Sequence, residues 1–129
     1  MTPAIQSLPF APSSLRGLSE QLIQSHHQNN YAGAVKRLLA IRAQLAALDW
    51  TAAPGFVING LKREELVAAN SMNLHELYFA GLGGDGVLKP AGKPAGLMVG
   101  LKRDFGSVER FRTEFVALAA GLGGGSGWA

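Results

Sequence analysis

The sequence predicts a mainly α-helical protein that consists of a long antiparallel helical hairpin followed by a pair of shorter helices. Apolar residues recur at spacings near three and four along several stretches, which is the periodicity of one face of an α-helix. Clusters of glycine and proline separate these stretches. No segment shows the polar–apolar alternation that is typical of a strand, so the pattern by itself does not predict a sheet.

The first helix is predicted from about Leu18 to Leu48, after a proline-rich segment that we expect to be extended. Polar residues between its apolar positions are expected to face water. Gly33 is a weak point in this helix, and we expect a bend or close packing there. The apolar positions that define the helix are Leu22, Ile23, Val35, Leu38, Ile41, Leu45 and Leu48.

The second helix is predicted from about Lys62 to Ala80, after a connection in which Pro54-Gly55 is a turn signal. The glycines of "GLGGDG" are expected to end it, because glycine adopts the left-handed conformation readily. Two adjoining sides of this helix carry its distinctive residues. One side has Leu66, Val67, Asn70, Leu74 and Leu77, and the other has Ala68, Ser71, Met72, His75 and Phe79.

The rest of the chain begins with the glycine- and proline-rich segment "GDGVLKPAGKPAG", which predicts a surface loop. A short helix is predicted in "LMVGLKRDF", and another in "GSVERFRTEFVALAAGL" with Ser107 as its N-cap. The final run "GGGSGWA" is rich in glycine. The apolar stripe of the last helix is Phe111, Phe115, Leu118 and Leu122.

Composition excludes several classes of function. The chain has 129 residues and no cysteine, so disulfides, thiolate metal sites and cysteine nucleophiles are excluded. The net charge of +3 arises from scattered Lys and Arg pairs, so nucleic acid is not an expected partner. No apolar run reaches the roughly 18 residues of a membrane span, and the N-terminus lacks a signal-peptide pattern. We therefore expect a cytoplasmic protein with no membrane partner.

The histidines are the candidate metal ligands, because neutral imidazole is the commonest protein ligand for metal ions. His26 and His27 adjoin each other on the first helix, and His75 lies on the second. Adjacent residues of an α-helix diverge by about 100°, so one of the pair is expected to face a given site, and periodicity does not choose which. One inward histidine from each helix would form half of a metal site; the alternative is that they only pack or face water. By the same angle, Glu76 is expected to point away from His75.

The order of motifs resembles the iron/manganese superoxide dismutase family over nearly the whole chain. The segment "SLPFAPSSLRGLSEQLIQSHHQNNYAGAVKRL" is similar to the family's beginning, in which Leu-Pro-aromatic precedes a helix that bears His-His. "NSMNLHELYFAGLGG" resembles the family's second helix, and "LMVGLKRDFGSVERFRTEFVALAAG" resembles its Phe-Gly-Ser helical pair. "GSGWA" resembles its Gly-Ser-Gly-Trp junction.

The resemblance implies the architecture and the partners. Residues 1–83 are expected to form the N-terminal helical hairpin domain. Residues 84–129 are expected to be the helical part of an α/β C-terminal domain whose sheet is missing. The implied activity is the iron- or manganese-dependent disproportionation of superoxide to dioxygen and hydrogen peroxide, an antioxidant function. The resemblance also implies a homodimer.

The resemblance also implies the site residues. His26 and His75 match two metal ligands of the family, which holds one iron or manganese ion per chain. Tyr78, Phe79 and Trp128 match aromatic residues that pack around the ion. No catalytic residue is implied beyond the ligands.

Several positions depart from the family pattern. The Asp-x-Trp-x-His stretch, which supplies the family's other two ligands, is absent from the sequence, and we expect that the ligand-bearing part is missing. Asn30 and Ala34 stand where the family has a histidine and a tyrosine near the substrate channel. Tyr31 is expected to occupy part of that space from another direction. Ser71 and Gly124 stand where the family has a glutamine that tunes the metal.

Three functional hypotheses follow. The leading one is a superoxide dismutase chain represented without its C-terminal ligands. The alternative is a non-catalytic superoxide-dismutase-like paralogue, or a truncated helical protein with a binding role, because of the departures at the site. A small basic helical module that binds nucleic acid is the third, and the absence of a Lys/Arg cluster argues against it.

Overall fold

The computed structural model of the chain describes residues 2–83 and 95–122. The loop predicted in "GDGVLKPAGKPAG" falls largely outside these residues, as do Gly124 and Trp128. The chain divides into two compact units, Met1–Gly84 and Asp85–Ala129. Helices make up the secondary structure of the described residues, which include no strand, and the predicted mainly helical fold is confirmed.

The first unit is a helical hairpin that follows an extended N-terminal segment. Its first arm continues from one helix through a turn of π-helix into a second helix, and its other arm is one long helix. His26 of the first arm contacts His75 of the other, and Arg42 pairs with Glu65, so the arms run antiparallel. The elements are a 3₁₀ turn at Pro12–Ser14, α1 at Glu20–Ser25, the π turn at His26–Tyr31, α2 at Ala32–Ala46 and α3 at Gly55–Gly81.

The first arm begins and ends close to the predicted positions. Ser19 is the N-cap of α1, and its hydroxyl accepts a hydrogen bond from the amide of Leu22. After α2, the carboxylate of Asp49 accepts hydrogen bonds from the amides of Thr51 and Ala52 and stabilises the turn between the arms. Polar side chains therefore satisfy backbone donors at both boundaries of this arm.

Gly33 is not a point of close packing between helices. It lies in α2, and a Cβ added there meets no atom within 4 Å, so the expectation of close packing is wrong. The departure from α-helical geometry lies just before it, in the π turn at His26–Tyr31.

The second arm begins earlier than predicted. The α3 helix begins at Gly55 rather than near Lys62, with Pro54 as its N-cap. Proline has the extended ψ of a cap residue here, and its carbonyl accepts hydrogen bonds from the amides of Val57 and Ile58. The Pro-Gly pair therefore starts the helix, because proline cannot donate a hydrogen bond and is favoured where none is needed.

The core lies between the two arms and selects one of the two predicted sides of α3. Leu66 and Leu77 are 61% and 69% exposed, whereas Ala68 and Phe79 are 2% and 3% exposed. The side with Ala68 faces the first arm. On that arm Leu22, predicted as a core position, is half exposed, and the next residue, Ile23, is fully buried.

Two clusters fill the core. The aliphatic cluster lies toward the turn, and an aromatic cluster lies toward the π turn. Met72 packs against both clusters and makes the core continuous. The aliphatic cluster consists of Leu38, Ile41, Leu45 and Ala68, and the aromatic cluster consists of Tyr31, Val35 and Phe79.

The second unit contains α4 at Ala95–Phe105 and α5 at Val108–Gly121. Gly106 has a φ of 79°, which glycine adopts without strain, and it reverses the chain between the helices. The predicted N-cap is confirmed, because the Ser107 hydroxyl accepts from the amide of Arg110 at 3.0 Å. The ring of Phe111 packs between those of Phe105 and Phe115.

Candidate metal centre

The hairpin brings one histidine from each arm together. The ring centroids of His26 and His75 are 5.0 Å apart and their planes are inclined by 79°. His75 is 6% exposed, and His26 is half-buried. The rings of Tyr78 and Phe79 each lie 5.3 Å from that of His26. Two imidazoles therefore meet beside an aromatic wall near the open end of the hairpin.

The π turn determines where the two adjacent histidines point. The amide of Ala32 donates to the carbonyl of His27, five residues earlier, which closes a wider turn than an α-helix has. Within this turn His26 lies against His75, while His27 lies 5.2 Å from Tyr31. Both histidine rings contact Phe79. Adjacent side chains diverge by about 100° only in a regular α-helix, and the wider turn allows both histidine rings to reach the core side.

A backbone hydrogen bond orients His75. Its Nδ1 lies 2.7 Å from the carbonyl oxygen of Ser71, one turn earlier in α3. Since a carbonyl only accepts hydrogen bonds, Nδ1 carries a proton, and in the neutral ring the lone pair is then on Nε2. An imidazole in this state is suited to donate Nε2 to a metal ion. The hydroxyl of Ser71 lies 3.4 Å from the same nitrogen, so this residue acts mainly through its backbone.

Electrostatics favour the neutral form of His26. Burial lowers its pKa below 6.5, and the nearby His75 lowers it further, because two cationic rings would repel each other. A histidine with a lowered pKa is neutral at neutral pH, and a neutral imidazole is the form that binds metals. His26 is thus favoured as a neutral nitrogen donor.

Tyr31 lies at the centre of a hydrogen-bonded group beside the histidines. It is 1% exposed. Its hydroxyl accepts from the amide of Gln6 at 2.9 Å and donates to a carboxylate oxygen of Glu76 at 2.9 Å. Burial raises the pKa of the Tyr31 phenol, and Glu76 raises it further, so it remains a neutral donor.

The sequence did not indicate Gln6 or Glu76 as part of this group. Glu76 was expected to point away from His75, and it does so toward Tyr31. No periodic signal marks Gln6, because it lies in the extended N-terminal segment. The signal available in the sequence was the pairing of a buried tyrosine with a carboxylate on the facing helix, which needs the helix register to be known.

The other predicted pocket residues differ in their positions. Asn30 is exposed, unlike the half-buried His26 and the buried His75. Ala34 is buried in α2, where a methyl group cannot donate or accept a hydrogen bond. A pocket of about 250 Å³ is lined by residues that include His27, Tyr31, Glu76 and Phe79. Neither histidine of the central pair lines this pocket.

The donor set fits part of a metal site. Two neutral imidazoles suit iron or manganese, which also take carboxylate and water ligands. Within residues 2–83 and 95–122, no group of three or more His, Cys, Asp or Glu side chains converges on a point. Further ligands must therefore come from other residues or from water. None of the helices within these ranges is both long and apolar enough to cross a membrane.

The fold and this geometry define a helical hairpin that presents paired imidazoles between its arms. Comparison with known proteins agrees with this class. The chain is 61% identical over 124 residues to an iron superoxide dismutase of Cupriavidus metallidurans, a match that covers 96% of the chain and 60% of that protein. It is 34% identical over 142 aligned positions to an iron superoxide dismutase of Bacteroides fragilis, covering all of the chain and 65% of the relative.

A more distant relative is a mitochondrial manganese superoxide dismutase of Eptatretus stoutii, 29% identical over 120 residues, with 87% of the chain and 74% of the relative covered. No family model matches the chain. The resemblance to iron/manganese superoxide dismutases that the motifs predicted is confirmed by these similarities. It spans about three fifths of the length of the Cupriavidus relative.

Proposed function

We propose that this chain is the histidine-bearing part of an iron- or manganese-dependent superoxide dismutase. The observation that carries the proposal is the 5.0 Å approach of the His26 and His75 rings, one from each arm of the hairpin. Sequence similarity to proteins named superoxide dismutase supports the choice of reaction. The non-catalytic alternative is not favoured by these similarities.

His26 and His75 are the residues that would hold the ion, one per chain. When bound, iron or manganese supplies the one-electron redox chemistry by which superoxide becomes dioxygen and hydrogen peroxide. Because the 61% identical relative is named as an iron enzyme, iron is the metal that we propose. The remaining ligands are expected from an Asp-x-Trp-x-His stretch, which the printed sequence does not contain.

The chain's own residues prepare the two donors. The carbonyl of Ser71 holds the His75 ring with Nε2 as the donor nitrogen. Tyr78 and Phe79 cover the His26 ring, which excludes water from one side and favours the neutral imidazole. The family resemblance also proposes Trp128, which lies outside the described residues, as a residue of the complete site. Asn30 is exposed, and we assign it to the outer end of the substrate path rather than to the ion.

The proposal also names the substrate, the location and the assembly of the protein. Superoxide is the proposed substrate, and a cytoplasmic homodimer is the proposed assembly. Sedimentation of a chain that carries the complete ligand set should give twice the mass of one chain. A monomer would contradict the assembly without affecting the proposed chemistry.

A chimaera tests the proposed reaction. Residues 1–129 are joined to the part of the Cupriavidus metallidurans relative that lies beyond the matched region, so that the remaining ligands are supplied. The expected result is one metal ion per chain and superoxide turnover. Both are expected to disappear in His26→Ala and His75→Ala. Asn29→Ala is the matched control, because Asn29 is an exposed residue of the same π turn.

Two outcomes would contradict the proposal. A folded chimaera without metal or turnover would overturn it, and circular dichroism would establish that the protein is folded. Equal metal content in the two histidine variants and in Asn29→Ala would exclude His26 and His75 as ligands.

A further inference from the structure

The second histidine of the pair, His27, belongs to a set of hydrogen bonds that the proposed function does not use. His27 Nε2 lies 2.8 Å from the carbonyl oxygen of Gln6, so this nitrogen is the donor. The amide of Gln6 donates to the Tyr31 hydroxyl at 2.9 Å. That hydroxyl donates to Glu76 at 2.9 Å. We call these four residues the Tyr31 network.

The network joins the two positions that adjoin the paired histidines. His27 follows His26 in the π turn, and Glu76 follows His75 in α3. Tyr31, the last residue of the π turn, bonds directly to Glu76 of α3, and the backbone of Gln6 connects His27 with Tyr31 within the turn. Movement of the π turn relative to α3 must therefore stretch the hydrogen bond between Tyr31 and Glu76.

The bridging segment is itself anchored. Leu8 and Phe10, which follow Gln6, pack against the aromatic cluster that contains Tyr31 and Phe79. The backbone of Gln6 is thus held from one side by apolar contacts and from the other by hydrogen bonds. Because Tyr31 is 1% exposed, water does not readily replace its hydroxyl in either bond.

Each polar group of the network has a defined direction. The carboxylate of Glu76 only accepts, the amide of Gln6 only donates, and the Tyr31 hydroxyl does one of each. The bond to the carboxylate is charge-assisted and is the strongest of the three. Removal of the Tyr31 oxygen leaves both its neighbours without their partner.

We propose that Tyr31 is a positioning residue that holds the His26 and His75 rings in register through this network. The inference rests on the proposed function in one respect, since the relative position of the two rings matters because they bind the metal. It does not rest on that function for its physics, because the three hydrogen bonds join protein groups alone. Tyr31 itself does not need to touch the ion or the substrate.

The test uses the full 129-residue chain without metal, so that it can fail separately from the proposed function. Tyr31→Phe removes only the hydroxyl. By NMR, we expect hydrogen exchange of the Gln6 amide to accelerate at least about tenfold, as expected when a bond of about 1.4 kcal/mol is lost. We also expect the nuclear Overhauser effects between the ring protons of His26 and His75 to weaken.

Two further variants separate positioning from simple stability. Glu76→Gln keeps an oxygen that accepts from Tyr31, so it should retain the ring-to-ring signals and the slow Gln6 exchange. Arg42→Gln removes an ion pair with Glu65 elsewhere between the same arms, and it should leave both readings unchanged. Unchanged ring-to-ring signals in Tyr31→Phe would overturn the inference.

A metal titration of the same variants then addresses the purpose. Ni²⁺ is the probe, because nitrogen ligands bind it more tightly than Fe²⁺ or Mn²⁺. By titration calorimetry, Tyr31→Phe should weaken binding about tenfold, as loss of an outer hydrogen bond around metal ligands does. Glu76→Gln should bind within about threefold of the parent chain. If the parent chain does not bind Ni²⁺ while the ring signals respond to Tyr31→Phe, the metal proposal fails and the positioning role stands.

Discussion

The two ends of the helical hairpin are built by different means. Toward the turn, the aliphatic cluster consists of the apolar residues Leu38, Ile41, Leu45 and Ala68. Toward the open end, His26 and His75 meet among aromatic rings, and a buried phenol is hydrogen-bonded. Burial of apolar surface stabilises the first end directly. At the second end, burial of polar groups costs stability unless each has a partner.

The functional groups of this fold are concentrated at the end of the hairpin that apolar packing stabilises least. The aliphatic cluster holds the two arms together. The histidine end can therefore contain polar side chains, which contribute less to stability than buried apolar side chains. In the described residues, no side-chain nitrogen or oxygen is buried without a hydrogen-bond partner. The polar end is therefore satisfied rather than strained, and it depends on its specific partners. The predictions that follow test this division of roles.

The largest effect on stability is expected at the aliphatic cluster. Leu38 is fully buried, and Leu38→Ala should lower the free energy of unfolding by about 3 kcal/mol, through lost transfer energy and a cavity. Urea denaturation of the metal-free chain measures this. The neighbouring Leu39 is 38% exposed, and Leu39→Ala should cost less than about 1 kcal/mol. Similar losses at the two positions would show that the cluster is not the main source of stability.

The next effect concerns metal-linked stability at the histidine end. A ligand present at 100 times its dissociation constant stabilises a folded protein by about 2.7 kcal/mol. Added Ni²⁺ should therefore raise the melting temperature of the parent chain, and His75→Ala should abolish the rise. Leu38→Ala should melt earlier but keep the same rise, because the cluster is remote from the pair. A rise that survives in His75→Ala would place metal binding elsewhere.

A smaller, pH-dependent effect is expected from His26. Its pKa is lowered in the folded state by burial and by His75, so the unfolded chain binds more protons over the affected range. The contribution of His26 to the stability of the metal-free chain should therefore be fully present above about pH 6.5. It should decrease as the pH falls through that value toward the lowered pKa. Denaturation curves between about pH 7.5 and about pH 5 would measure this, because that range spans the ordinary histidine pKa of about 6.5.

His26→Asn should flatten that pH dependence, because asparagine does not titrate. Leu39→Ala serves as the control and should retain the slope of the parent chain. A slope that is identical in His26→Asn would assign the pH dependence to another group.

The smallest effect is expected for the ion pairs on the surface of the hairpin. Arg42 pairs with Glu65 at 3.2 Å, and its side chain is 44% exposed. Exposed ion pairs contribute about 0.2–1 kcal/mol and are screened by salt. Arg42→Gln should thus lower stability by less than about 1 kcal/mol, and 1 M salt, an ionic strength at which the screening length is about 3 Å, should remove the difference. A loss comparable to that of Leu38→Ala would contradict the comparison.

Much of the fold follows from periodicity, and the errors occur where neighbours decide. Spacing predicted both arms, and Ser107 was recognised as a cap because its hydroxyl acts within its own turn. The start of α3 was missed because Pro54-Gly55 serves equally as a turn or as a helix beginning. The choice between the two sides of α3 depends on the facing helix, which local spacing does not specify.

The site could be predicted only in part for a similar reason. Residue positions favoured one inward histidine from each arm, and the family resemblance selected His26. The π turn was not predictable from spacing, because a five-residue hydrogen bond is a backbone choice that packing stabilises. Without that turn, neither the contact of His27 with Tyr31 nor the bond between Tyr31 and Glu76 could be inferred.

The π turn has one more consequence, which concerns insertions and deletions. A five-residue hydrogen bond encloses one residue more than a four-residue bond does, so deletion of a single residue within His26–Tyr31 would leave an ordinary α-helix. The wider turn absorbs the extra residue, so α1 would keep its orientation relative to α2, and an ordinary helix would let only one of two adjacent rings reach the core side. The aliphatic cluster, which lies wholly beyond this turn in the first arm, would be unaffected. Loss of one codon in this turn would therefore remove one inward-facing ring and leave the hairpin fold intact.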